Sequence, residues 1–252
     1  GHAQGYVLPH RSPDDGDPWH GTSVAGLALY GDIEAAIASG EFVPSLFLVS
    51  GRVFNHDGDD QTEFVENAVE RAVRDLHAGF GCRVFNFSYG DVNKVYAGGH
   101  VRGLAYTLDR LTRELGVVFV VSTGNLSPDC LPADPLASFP DYLLEDRARL
   151  VDPATALNAV TVGGLARHEA TRDQQQRPEP IEDRPIARTG HPFPLTRSGP
   201  TVNGAIKPDF VEHAGNLAIV RLTGRTTYRG LGVVTTNGGF AGGHAFREEV
   251  GT

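Results

Sequence analysis

Apolar residues along the chain follow two periods, and the longer one predicts three helices. Small apolar residues crowd the stretch 24–29, which indicates a helix over 20–30 that packs tightly against its neighbours. An apolar stripe with charged residues off it predicts a second helix from about 62 to 78, and Asp60 and Glu63 form a capping pattern at its start. The same periodicity predicts an amphipathic helix over 101–115.

The shorter pattern, alternating or continuously apolar, predicts short strands over 46–53, 83–89, 117–122, 158–164 and 206–211. The β-branched run at 117–122 is typical of a strand buried on both faces of a parallel sheet. Strands that alternate with helices indicate βαβ units. The predicted fold class is therefore α/β, with a mainly parallel sheet that helices cover on both faces.

Four segments show neither the helical nor the strand pattern of apolar residues. Residues 1–19 read as a surface loop, and the chain end from 238 is rich in glycine and predicted to be irregular. The segments 126–150 and 167–194 are rich in proline and polar residues, so we expect them to be surface insertions. The whole chain, 1–252, is interpreted as a single domain.

Composition narrows the function classes. The chain has 252 residues and a formal net charge of −9, without a cluster of basic residues, which argues against general binding of nucleic acid. No apolar run reaches the length needed to span a membrane. Two cysteines, Cys82 and Cys130, are too few for a disulfide framework, and one bridge or two free thiols both fit the sequence.

Two side chains that could take part in catalysis lie where predicted helices or strands begin or end. His20 opens the first helix, where packing would fix its backbone and leave the ring available as a general base; a half-buried histidine beside a glycine turn is the alternative. Asn125 follows the buried strand 117–122 on a Gly-Asn turn, and its amide is a neutral donor able to stabilise an oxyanion. Ligands of parallel sheets bind at the carboxyl ends of strands, which is where Asn125 lies.

Metal chemistry has little support in the sequence. The acidic loop 55–61 offers oxygen ligands of the kind that calcium prefers, but it lacks the EF-hand spacing and is better interpreted as a solvated loop. No His-Glu-x-x-His motif occurs among the ten histidines. No cofactor is predicted.

Five short motifs, taken together and in this order, resemble the subtilisin-like serine proteases. They are His20-Gly21-Thr22-Ser23-Val24-Ala25-Gly26, Asn86-Phe87-Ser88-Tyr89-Gly90, Ser122-Thr123-Gly124-Asn125, Val160-Thr161-Val162-Gly163-Gly164, and Ser198-Gly199-Pro200 with Ile206-Lys207-Pro208-Asp209. The resemblance covers roughly residues 15–252. It implies a three-layer α/β fold and a protein or peptide substrate bound in an extended conformation.

The resemblance also implies roles for individual residues. His20 would be the general base and acid, and Asn125 the oxyanion donor. Ser88, Tyr89 and Gly90 would pair with the substrate backbone, as a strand adds to a sheet edge. Three further residues would line the pocket that receives the substrate residue before the scissile bond: Ser122, Thr123 and Gly124. Calcium sites are common in the family, and the sequence places none.

Two members of the family's Asp-His-Ser triad have no match in the sequence. The only acids close before His20 are Asp14, Asp15 and Asp17, in a Pro-rich loop, and none is assigned. The serine would follow Thr252 directly. Ser23 lies in a Gly-Thr-Ser triplet but is interpreted as a packing residue of the first helix. We therefore expect the chain to be a catalytic domain cut just inside both missing residues.

The predicted function is hydrolysis of peptide bonds by a serine endopeptidase. An inactive protein of the same fold, kept as a binding or scaffold module, is the alternative. A nucleotide-binding α/β protein would need a glycine-rich phosphate loop, which the sequence lacks. The sequence predicts neither the oligomeric state nor the localisation.

Overall fold

The structure is a computed structural model that describes residues 2–8, 18–53, 63–176, 183–221, 223–240 and 243–252. Asp14, Asp15, Asp17 and the acidic loop 55–61 lie outside the described residues. Within the described part of the chain, none of the helices has the length and apolar character needed to cross a membrane.

The helices are α1 (Pro18–Tyr30), α2 (Ile33–Ser39), α3 (Val65–Phe80), α4 (Gly103–Leu115), α5 (Pro135–Ser138) and α6 (Arg172–Gln176). The strands are β1 (Ala3–Val7), β2 (Leu48–Arg52), β3 (Val84–Phe87), β4 (Asp91–Val95), β5 (Val118–Ser122), β6 (Val151–Asp152), β7 (Val160–Leu165), β8 (Arg184–Pro185), β9 (Phe210–His213), β10 (Ala218–Ile219), β11 (Thr226–Thr227), β12 (Val233–Thr236) and β13 (Phe246–Glu249).

Internal contacts divide the chain into two compact units. Unit 1 comprises Gly1–Phe85, Arg113–Val117 and Val234–Arg247. Unit 2 comprises Asn86–Thr112, Val118–Val233 and Glu248–Thr252.

Unit 1 contains the parallel pair β1 and β2, whose register runs from Ala3 opposite Leu48 to Val7 opposite Arg52. Helix α3 packs its apolar stripe inward, as its periodicity predicts. Its predicted start is wrong, because the N-cap is Phe64, which forms no side-chain capping bond.

A four-stranded sheet has the order β3-β5-β7-β9, and its strands β5, β7 and β9 belong to unit 2. Strands β5 and β7 are parallel, with Val120 opposite Val160, and β7 and β9 are parallel, with Val162 opposite Phe210. These pairings confirm the parallel sheet predicted from the sequence. The expectation that 117–122 is buried on both faces is only partly met, because Val118 is 42% exposed.

Among the residues that the structure describes, the segments 126–150 and 167–194, expected to be surface insertions, each contribute apolar side chains to the core of unit 2. One buried cluster contains Leu126, Tyr142, Leu143, Ala148, Ile186, Phe193, Leu195, Ala214 and Leu217. The hydroxyl of Tyr142 donates a hydrogen bond of 2.7 Å to the carbonyl of Pro194, which satisfies the one polar atom of that side chain.

The end of the chain is also more regular than its glycine content predicts. Strand β13 lies within the segment expected to be irregular and pairs with β12. Backbone pairing depends on the partner strand as well as on local composition, which explains why the composition alone missed it.

Candidate active site

The turn after β5 presents Asn125. The amide of Thr123 donates to the carbonyl of Val162 at 3.0 Å, which ties the turn to β7. Gly124 has a φ of +81°, and a Cβ added there would lie 2.6 Å from Cγ2 of Val151, so only glycine fits. Asn125 forms a bridge with Thr196 in the antiparallel sense, which fixes the residue that leaves the turn.

The side chain of Asn125 is oriented by the end of the chain. Its Oδ1 accepts hydrogen bonds from the backbone amide of Thr252 at 3.0 Å and from the hydroxyl of Thr252 at 3.1 Å. Within the described part of the chain, the Nδ2 group of Asn125 donates no hydrogen bond. Gly251 permits this approach, because a Cβ added to it would lie 2.8 Å from Nδ2. The amide therefore has its acceptor occupied and its donor available.

Thr123 lies beneath this surface. Its side chain is 0% exposed, and its hydroxyl lies 3.3 Å from that of Thr196 and 3.4 Å from that of Thr252. The side chain of Thr123 is therefore not accessible to a substrate in this structure, and a role in lining the pocket would fall to its backbone. Thr123 supports the turn from below, whereas Ser122, whose hydroxyl accepts from the amide of Gly124 at 3.3 Å, is half-buried.

The segment Ser88-Tyr89-Gly90 connects β3 to β4, and all three residues are half-buried. The rings of Phe87 and Tyr89 meet edge to face at 5.9 Å. A Cβ added to Gly90 would lie 3.6 Å from Cα of Gly124. The structure thus brings together the two segments predicted to bind substrate.

His20 lies in the first turn of α1 and is exposed. The helix is anchored to the 233–236 strand through its backbone: the hydroxyl of Thr235 donates to the carbonyl of Ser23 and that of Thr236 to the carbonyl of Thr22, both at 2.6 Å. Ser23 is 5% exposed and its hydroxyl donates to the carbonyl of Thr236 at 3.3 Å, in keeping with a packing role. His20 belongs to unit 1, and Asn125 to unit 2.

Sequence reasoning missed Arg197, whose guanidinium lies under the Asn125 turn. The side chain is 5% exposed and donates to three backbone carbonyls: Nε to Asn125 at 3.1 Å, and Nη1 to Arg147 at 2.8 Å and to Arg149 at 2.9 Å. Burial lowers the pKa of Arg197 from its ordinary value. An arginine in a Thr-Arg-Ser run carries no local sign of such a position, because the carbonyls that it bonds are about 50 to 70 positions away.

The described residues contain no group of three or more His, Cys, Asp or Glu side chains that could hold a metal ion. Cys82 and Cys130 are both free thiols, which resolves the alternative that the sequence left open. Burial raises the pKa of the Cys82 thiol.

The model of the subtilase family matches residues 5–248 of the chain. The uncharacterized protein y4bN of Sinorhizobium fredii (strain NBRC 101917 / NGR234) is 39% identical over 175 residues, which are 67% of this chain and 40% of y4bN. The chain thus matches well under half the length of this curated relative.

Solved structures of proteases resemble the chain at lower identity. MycP1 from the ESX-1 type VII secretion system is 20% identical over 99% of this chain and 60% of MycP1, with a TM-score of 0.46. The psychrophilic subtilisin-like protease Apa1 from Pseudoalteromonas sp. AS-11 is 14% identical over 90% of this chain and 42% of Apa1, also with a TM-score of 0.46.

The family match confirms the resemblance predicted from the five motifs. Together with the parallel β5-β7-β9 pairing, it also confirms the predicted fold class, the three-layer α/β fold of the subtilisin-like proteins.

Proposed function

The chain belongs to the subtilase family, and from this premise we propose that the protein containing it is a serine endopeptidase. Its substrate is a protein or peptide bound in an extended conformation. In a longer chain, the residue directly after Thr252 would be the nucleophilic serine. His20 is the general base.

The observation that carries this proposal is the contact between Asn125 and Thr252. Hydrolysis of an amide passes through a tetrahedral intermediate whose oxygen is negatively charged, and a preorganised donor stabilises that charge. The available Nδ2 group of Asn125 is such a donor, and the bonds of Thr252 to Oδ1 support the proposal that a residue after Thr252 would lie near it. A serine at that position would bring its hydroxyl close to Nδ2 of Asn125, the proposed oxyanion donor.

The proposed reaction has two steps. His20 takes the proton of the serine hydroxyl as the oxygen attacks the peptide carbonyl, and it then gives that proton to the leaving amine, which leaves an acyl-enzyme. In the second step His20 takes a proton from water, whose oxygen attacks the ester, and the serine recovers its proton. Asn125 donates to the oxyanion in both steps.

Ser88-Tyr89-Gly90 binds the substrate backbone in this proposal. The segment follows β3, the first strand in the order β3-β5-β7-β9, and peptides commonly bind by adding a strand to such an edge. Hydrogen bonds to the main chain supply affinity without demanding particular side chains, so the selection of substrate depends on the pockets that receive alternate side chains.

Labelling of the full-length protein with a fluorophosphonate probe tests the nucleophile. We expect one covalent adduct, on a serine directly after Thr252, and cleavage of a casein or peptide substrate. An adduct at Ser23, or none at all, would refute the proposal; a folded protein without label or cleavage would favour a binding module of the same fold.

Substitution of Asn125 tests the oxyanion donor. Asn125→Asp keeps the Oδ1 acceptor for Thr252 but replaces the N–H donors by a second carboxylate oxygen, whose negative charge also repels the oxyanion. In subtilisin, loss of the oxyanion asparagine lowers turnover by about 10²–10³-fold, and we expect a loss of at least this order here. Asn93→Asp, at an exposed position of β4, is the matched control and should retain full turnover.

His20→Ala should abolish turnover with the fold intact, because the exposed ring contributes little to packing. The exposed His100 provides the control, His100→Ala, which should remain active. Retained turnover in His20→Ala would remove His20 from the mechanism.

A further inference from the structure

We propose that Val151 closes the base of the pocket that receives the substrate residue before the scissile bond, so that the enzyme selects peptides with a small residue, alanine or glycine, at that position. This inference rests on the proposed function and specifies the substrate class of the same site.

The first observation is the position of the Val151 side chain. Its Cγ2 lies 2.6 Å from where a Cβ of Gly124 would be and 2.8 Å from where a Cβ of Gly90 would be. Gly124 and Gly90 belong to the two segments predicted to bind substrate. Val151 is 0% exposed, and these two segments approach it closely. The space between them is therefore filled from below by a branched apolar side chain.

The second observation is how close the two segments approach. A Cβ at Gly90 would already lie 3.6 Å from Cα of Gly124, which is van der Waals contact. A side chain with a ring or a long branch has no room to insert between the two backbones at this level. The two cavities described in unit 2, of about 600 and 310 Å³, are lined by other residues.

The third observation is that Val151 is held in place. Successive side chains of a strand point to opposite faces, and its neighbour in β6, Asp152, accepts hydrogen bonds from the first turn of α4 at 3.0 and 2.8 Å. The carbonyl of Val151 accepts from the amide of Ala154 at 2.7 Å. The backbone on both sides of Val151 is therefore anchored, which fixes the position from which its side chain projects.

Matched peptide substrates that differ only in the residue before the scissile bond test this inference on the full-length enzyme. For the wild type, kcat/KM should be highest with alanine or glycine there and should fall with leucine and phenylalanine. Val151→Ala should shift the ratio of kcat/KM for leucine over alanine upward by about 10–200-fold, the range that one or two methyl groups produce in an apolar pocket. Val151→Thr, which keeps the shape, should preserve the wild-type ratio.

A ratio of two substrates measured on one sample does not depend on how much of a variant is folded. Val73→Ala, which truncates a buried valine of α3 in unit 1, is the control and should leave the ratio unchanged. Efficient wild-type cleavage after phenylalanine, or an unchanged ratio in Val151→Ala, would overturn this inference while leaving the peptidase in place. Absence of both cleavage and fluorophosphonate labelling would overturn the proposed function and this inference with it.

Discussion

Replacement of Arg197 by leucine should both destabilise the protein and loosen the turn that presents Asn125. The guanidinium is 5% exposed and joins the carbonyl of Asn125 to those of Arg147 and Arg149. These three carbonyls come from two separate segments of unit 2. Leucine fills much of the same volume but donates nothing, so the carbonyls lose their partner.

The magnitude follows from two opposing terms. A hydrogen bond from a charged donor contributes about 1.5–3 kcal/mol, and three are lost. Removal of a buried charge recovers several kcal/mol of desolvation, the same effect that lowers the pKa of Arg197. Arg147 is itself exposed, so water can reach the region of one of the three carbonyls. We therefore expect a net loss of about 2–4 kcal/mol in the free energy of unfolding.

Urea denaturation followed by far-ultraviolet circular dichroism measures this loss, with turnover measured on the same samples. Arg197→Lys should recover only part of it, because an ammonium cannot reproduce the planar fork that reaches all three carbonyls. Arg188→Leu, at an exposed position of unit 2, is the control. A midpoint for Arg197→Leu within experimental error of the wild type would refute the reasoning, as would full recovery in Arg197→Lys.

Three further predictions concern single contacts. Gly251→Ala would place a Cβ 2.8 Å from Nδ2 of Asn125, so turnover should fall more than tenfold, and because Gly251 has a φ of +141° the strained backbone should also lower the melting temperature. Asp152→Ala removes the carboxylate that bonds two amides at the start of α4, and the free energy of unfolding should fall by about 1–3 kcal/mol in urea denaturation. Burial raises the pKa of Tyr142 in the folded state, so its contribution to stability is complete below the unfolded value of about 10 and is lost as the pH rises above it. Tyr142→Phe should therefore make the alkaline fall in stability shallower.

Each of these has a matched control in the same chain. Gly79→Ala, in α3 where a Cβ meets no other atom, should leave turnover unchanged. Asp129→Ala and Tyr106→Phe, at exposed positions, should leave the urea midpoint and the alkaline profile as in the wild type. Equal effects in a variant and its control would contradict the corresponding contact.

The helices and the parallel strands could be predicted because their signals are local. The stripe that predicts α3 and the β-branched run that predicts β5 both lie within one element, and the structure has these elements within about three residues of the predicted bounds. Burial could not be predicted in the same way. Tyr142 lies in a Pro- and Asp-rich segment that reads as surface, yet it is buried because Pro194 and the apolar residues around it come from elsewhere in the chain.

In the candidate site, too, residues with a local sequence signal could be predicted, and residues that act through distant contacts could not. Asn125 and Gly124 could be recognised because a strand end, a glycine with a positive φ and an amide side chain are adjacent in sequence. Val151 and Arg197 could not, because each acts on a glycine or a carbonyl more than twenty positions away, and neither valine nor arginine signals that by its type. The motifs thus predict candidate catalytic residues, whereas Val151 and Arg197, which contact the Gly124-Asn125 turn, lie outside the motif residues. If this reasoning is right, substitutions at Val151 should change which peptides are cleaved, and substitutions at Asn125 should change how fast every one of them is cleaved.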